Sequence, residues 1–206
     1  MIKFYFPHQK IHLIGHSMGA LLALNFSISY QELLQSITLL TCPYEIQNIF
    51  LSKKTMSSKI FLENFGKNLE KFNITSKTFN AQVWKILFST ILNPEVIYQL
   101  GFYKKRIPKK IAEEYVKEFN SCGPEIFSIL FNEIYYIQQK DPSLITIPTL
   151  LIAGLKDPLI PIENISALHK KIPHSFFHIF LEGKHLLQLE FFEEVNKKIK
   201  NFLEPL

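Results

Sequence analysis

Cysteine is scarce in this 206-residue chain. Cys42 and Cys122 are the only two, too few for a disulfide framework, and no metal-ligand spacing is present. A reducing compartment, the cytoplasm, is therefore the expected location. Glycine is sparse as well, at seven residues, and none of them builds the glycine-rich loop that cradles a phosphate. With neither ligand cluster nor nucleotide loop, no cofactor and no metal are expected. No apolar run reaches the roughly 20 residues that cross a bilayer, so no integral membrane segment is expected. The start, "MIKFYFPHQK", turns polar too soon for a secretory signal. The formal net charge is only +5, and the basic residues are not interleaved with stacking aromatics as a nucleic-acid face requires. Aspartate is scarce too: Asp141 and Asp157 are the only two. Chemistry that needs an aspartate must use one of them.

What is present is an ordinary globular composition, 47% hydrophobic, long enough for one domain or for one domain with a large insertion. Short apolar runs rich in β-branched residues and Leu predict strands at 10–15, 36–42, 147–154 and 175–183. The first and third read as buried parallel strands. Helical spacing predicts helices at 18–34, 163–172 and 191–203, the last with Phe192, Val195, Ile199 and Phe202 on one face. Between 44 and 142 the texture changes to apolar residues every three or four positions, punctuated by Pro94, Pro108 and Pro124. That block predicts several amphipathic helices and no strand. Strand and helix alternate on both sides of it, so the class is α/β with a mostly parallel sheet of about four strands and right-handed crossovers.

The most informative stretch is "IHLIGHSMGALLAL". A strand-like run enters Gly15-His16-Ser17-Met18-Gly19 and a helix-like run leaves it. A strand-to-helix turn this tight would force Ser17 into strained backbone angles and leave no room for side chains at Gly15 and Gly19. It would also expose the serine hydroxyl and set the Met18 N–H at a helix N-terminus, where an oxyanion is favoured. A plain helix N-cap is the alternative role for Ser17. A nucleophilic serine needs a base, and the base needs an orienting acid. Asp157 follows the third strand in "IAGLKDPLIP", and His185 follows the fourth in "FLEGKHLLQLE". Both positions are strand C-terminal ends, where α/β proteins build ligand sites. Asp141 precedes its strand, and Glu45 after the second strand is a distant alternative acid. His8, His12, His16, His169, His174 and His178 are placed less well for a base.

Together, "IHLIGHSMGALLAL", "IPTLLIAGLKDPLIP" and "GKHLLQLEFFEEVNKKIKNFL" resemble the α/β-hydrolase fold family, in its esterase-like branch with a helical cap. The resemblance implies a core at 1–43 and 143–206 with a cap inserted at 44–142. It implies Ser17 as nucleophile, Asp157 as acid, His185 as base and the Met18 N–H as one oxyanion donor, with Gly15, His16 and Gly19 completing the elbow. The implied activity is cleavage of ester-type bonds, with a small hydrophobic ester or thioester as substrate. Trp84, Phe88, Phe102, Tyr103, Phe127, Phe131, Tyr135 and Tyr136 would fill the cap and line its pocket, with most of them in the cap's own core. The basic cluster "KKRIPKK" at 104–110 reads as a solvated cap turn.

The resemblance runs nearly end to end along this chain but covers only the later part of the family's fold. Four strands and two or more helices that precede the elbow in the family have no counterpart. The loop that supplies the family's second oxyanion donor is among them. A truncated or split gene product is the expected explanation, with a partner chain or self-association through the bare sheet edge as another. A degenerate, non-catalytic relative kept for binding is the rival reading.

Overall fold

The computed structural model describes residues 5–44, 98, 101, 107–121 and 140–206. Its centre is a sheet of four parallel strands, β1 (Ile11–His16), β2 (Leu34–Leu40), β3 (Thr149–Gly154) and β4 (Phe176–Phe180), in the order β1-β2-β3-β4. Around it lie α1 (Met18–Ser29), α2 (Lys109–Ser121), α3 (Ile162–Lys171), α4 (Leu187–Glu190) and α5 (Phe192–Leu203). This is the predicted α/β class with strands near the predicted places.

Side chains alternate across a strand, and the core divides accordingly. Ile37, Leu39, Leu151 and Ala153 pack with Leu21 and Leu24 of α1 and Ile165 and Leu168 of α3. Leu40, Leu150, Ile152 and Phe180 pack on the other face with Leu187, Phe191 and Val195. Ala20 and Ala23 let α1 lie close on the sheet. Cys42 is a free, buried thiol, and burial raises its pKa far above the usual range. Among the described residues no helix is long and apolar enough to cross a membrane.

Four expectations need correction. The helix after the elbow stops at Ser29 instead of running to 34, because Gln31 is drawn elsewhere. Its side-chain amide donates to the Leu144 carbonyl and accepts from the Thr146 N–H, pinning a 3-10 turn (Gln31–Leu33) to the segment before β3. Leu34 is thereby freed to begin β2, which ends at Leu40 instead of 42. β1 is not a buried strand: among the described residues it lies at the edge of the sheet, where the missing strands would leave it, with His12 and Ile14 exposed on one face. At the terminal helix Phe191, just before its first residue, and Val195 are buried, Ile199 and Phe202 are partly buried, and Phe192 is 56% exposed. Phe191 takes the inward place because it stands four residues before Val195, one full turn away.

Of the block at 44–142, most lies outside the described residues, including Glu45, Pro94, Pro124, Cys122 and all eight aromatics named above; 104–106 of the basic cluster do too. The described part contains α2 and helical backbone at Tyr98 and Gly101. Ile107 and Val116 pack against Leu186, so this segment touches the loop after β4.

Candidate active site

The register aligns the C-terminal ends of the strands. His16 pairs with Leu40, Leu40 with Ile152, and Gly154 with Phe180. Ser17, Leu155 and the loop after Phe180 therefore leave the sheet at one rim.

Ser17 occupies the turn between β1 and α1 at φ 52°, a region that non-glycine residues seldom adopt. Such a backbone costs of order 1–3 kcal/mol and persists only where its surroundings hold it. Here the Ser17 N–H donates to the Leu40 carbonyl at 2.9 Å, and the Ser17 carbonyl accepts from Ala20 and Leu21. A Cβ on Gly15 would stand 2.4 Å from the Gly19 carbonyl oxygen, so only glycine permits this approach. Gly19 is different. A Cβ there meets nothing within 4 Å, contrary to the expectation that both glycines are sterically required. Gly19 is the second residue of α1 and faces outward.

The serine side chain does not cap α1. Its Oγ lies 3.0 Å from His185 Nε2. His185 Nδ1 lies 2.9 Å from Asp157 Oδ2. The other carboxylate oxygen, Oδ1, accepts from the backbone N–H groups of Leu159 at 2.8 Å and Ile160 at 3.0 Å. Pro158, lacking an N–H, fits the first position of this Asx-type turn. The carboxylate is thus fixed, and the Asp157 side chain has no exposure to water against 10% for His185. An ionised carboxylate only accepts, so Nδ1 carries the imidazole proton and Nε2 offers its lone pair to the Ser17 hydroxyl.

Two close backbone approaches hold this arrangement from behind. A Cβ on Gly154 would fall 2.3 Å from the Gly183 carbonyl oxygen, which accepts from the Lys156 N–H. The loop carrying His185 is therefore seated directly on the end of β3. Leu186 donates to the Gly101 carbonyl at 3.0 Å.

His16 is a contact that local pattern does not reveal. Its Nε2 meets the main-chain carbonyl of His185 at 2.9 Å. Burial, and then the nearby His185 imidazole, lower its pKa to about 4. The only signal in the sequence is its place beside Ser17.

The remaining candidates sit apart. Asp141 caps a 3-10 turn and accepts from the Ser143 backbone and hydroxyl, which lowers its pKa. His12 is bonded to Ser36 and His169 to Ser175. His178 stands edge-on to Phe180 within β4, and His8 and His174 are exposed. Among the described residues no group of His, Cys, Asp and Glu could hold a metal ion.

Fold and site together define a class: parallel α/β proteins that carry a strained serine on a strand-to-helix turn beside a His-Asp pair. The chain belongs to the alpha/beta hydrolase fold family, whose sequence pattern matches residues 2–192. It is 23% identical to a proline iminopeptidase of Saccharolobus solfataricus, over 99% of this chain and 65% of that protein. It is also 23% identical to a 2-hydroxy-6-oxononadienedioate/2-hydroxy-6-oxononatrienedioate hydrolase of Paraburkholderia phymatum, over 95% of this chain and 62% of that one. The chain thus spans less than two thirds of the length of these curated relatives. A thermophilic esterase from Thermogutta terrifontis superposes with a TM-score of 0.64 at 20% identity, covering 98% of this chain and 68% of the esterase.

Proposed function

We propose that the chain carries the reactive centre of a serine hydrolase that cleaves carboxylic ester-type bonds, ester or thioester, through an acyl-enzyme. The observation that supports this best is the continuous hydrogen-bond path from Ser17 Oγ through His185 to the buried Asp157. Hydrolases among the relatives, and an esterase of the same fold, are consistent with it.

In this reading Ser17 Oγ attacks the acyl carbon while His185 Nε2 takes its proton. Asp157 holds the imidazole in the Nδ1–H tautomer and stabilises the imidazolium. The carbonyl oxygen becomes an oxyanion beside the Met18 N–H, one of the first-turn donors of α1 that have no partner within the helix. His185 then passes its proton to the leaving alcohol or thiol. Water attacks the acyl carbon as His185 removes its proton, and His185 returns that proton to Ser17 Oγ as the acid departs. The block at 44–142 acts as the cap, and α2 together with Ile107 is its part nearest the loop of the base.

A fluorophosphonate probe tests this. Purified chain should label, Ser17→Ala should not, and His185→Ala should label far more slowly. A chain that is folded by circular dichroism and never labels would instead support a non-catalytic relative.

A further inference from the structure

Three side chains account for the proton path proposed above, and His16 is not one of them. It nonetheless touches that path, through the His185 main chain and ring. It ends β1 and directly precedes Ser17. Its Nε2 lies 2.9 Å from the His185 carbonyl oxygen. A carbonyl can only accept, so His16 donates and its tautomer is Nε2–H. The two imidazole rings stand 5.0 Å apart, centroid to centroid, tilted by 57°.

The base sits in a stretch, 181–186, that is neither helix nor strand. Main-chain bonds tie its flanks: Gly183 donates to Phe180, Lys156 donates to Gly183, and Leu186 donates to Gly101. The His16 bond takes the carbonyl of the same peptide whose N–H, that of Leu186, goes to Gly101, and it joins this peptide to the turn that bears Ser17. In the free chain the side-chain contact between Ser17 and His185 also spans this gap. Once Ser17 is acylated, that contact loses its hydroxyl proton. A link through the main chain is unaffected by that change. The groups facing His16 are His185 and Asp157, and burial with His185 keeps it neutral down to a pKa of about 4. Neutrality has a use: a cation this close would oppose the imidazolium that His185 must become.

We propose that His16 is a positioning residue: its ring N–H clamps the peptide of His185 to the nucleophile turn, holding the base within reach of Ser17 throughout the cycle. This rests on Ser17, His185 and Asp157 acting as a triad.

The test is the rate of fluorophosphonate labelling in the full chain. His16→Phe keeps a ring without the donor and should slow labelling about 10- to 100-fold, the scale of a misplaced reacting group. His16→Gln restores a donor and should recover most of that rate. In a His185→Ala background His16→Phe should cost nothing further, since the clamp acts only through the base. Labelling of His16→Phe at the parent rate, or a full additive loss in the His185→Ala background, overturns the clamp and leaves the triad intact. Absence of labelling in the parent chain overturns the triad, and the clamp's role with it. If His16→Phe does not fold, nitrogen NMR of the parent's histidine rings decides. An Nε2–H tautomer persisting at pH 5 supports the clamp. A ring titrating near its ordinary value of about 6.5 overturns it.

Discussion

β1 and β3 are both six-residue strands that carry a site residue to the same rim, in opposite surroundings. All six residues of β3 are buried, with β2 and β4 on its flanks and apolar clusters on both faces. Among the described residues β1 has one strand neighbour, and it exposes His12 and Ile14. The strand that leads to Asp157 is thus fixed by tertiary burial. The Ser17 side is fixed by a tight five-residue turn, in which Gly15 touches Gly19, and by one bond from Ser17 back to Leu40 of β2. The difference teaches that one rim can owe its geometry to two separate causes, and each can be broken alone.

The largest effect is expected on the acid side, from a change that leaves the shape alone. In Asp157→Asn the side-chain oxygen can still accept from Leu159 and Ile160, which leaves the amide NH2 facing His185 Nδ1. Two donors cannot bond, so the imidazole must move its proton to Nε2, where it blocks acceptance from Ser17. The labelling rate should fall by about 10⁴ with little change in stability. A loss under tenfold would remove Asp157 from the proton path.

Stability should separate the two strands directly. Leu151, fully buried in β3, should lose about 2–5 kcal/mol on truncation to Ala. Ile14, 48% exposed in β1, should change stability by no more than about 0.5 kcal/mol on the same truncation. Urea midpoints measure both, and equal losses would break the comparison.

The end of β1 has a pH signature of its own. His16 has a pKa of about 4 in the folded chain, below its ordinary 6.5, so the unfolded chain binds the proton first. Stability is therefore highest above about pH 6.5, falls as pH drops toward 4, and levels off below that. This contribution is on the order of 3 kcal/mol. His16→Phe should remove it, flattening the difference between urea midpoints at pH 7 and pH 4.5.

Strands were legible where a run of branched apolar residues ends at glycine, as at Gly15 and Gly154. Ser17, Asp157 and His185 could be singled out because each follows such an end, and the chain has only one other aspartate to compete. Features that depend on a distant partner were not legible. The stop at Ser29 depends on Gln31 finding Leu144 and Thr146. The edge place of β1 was legible only through the family resemblance, from the strands that have no counterpart here; its apolar run alone reads as a buried strand. The His16 contact depends on how the loop after β4 folds back over the sheet. Phe191 and Phe192 are adjacent and identical, so only the helix's rotation could choose between them.

The finest test lies within the elbow, where the sequence treats two glycines alike and the structure does not. A methyl on Gly15 would meet Gly19 O at 2.4 Å, Gly19 C at 2.6 Å and Ala20 Cα at 2.7 Å, all of them main chain in the first turn of α1. No side chain can swing aside, so the helix start must move. Gly15→Ala should cost about 1–3 kcal/mol and displace Ser17 enough to slow labelling by about 10². The methyl of Gly19→Ala enters open space at the second helical residue, where Ala is preferred to Gly by roughly 0.5–1 kcal/mol. It should raise the melting temperature slightly and leave labelling unchanged. Opposite signs four residues apart would place the rigidity of the Ser17 turn in the Gly15 contact. A loss at Gly19 equal to that at Gly15 would spread it over the whole turn and undo the local half of the comparison.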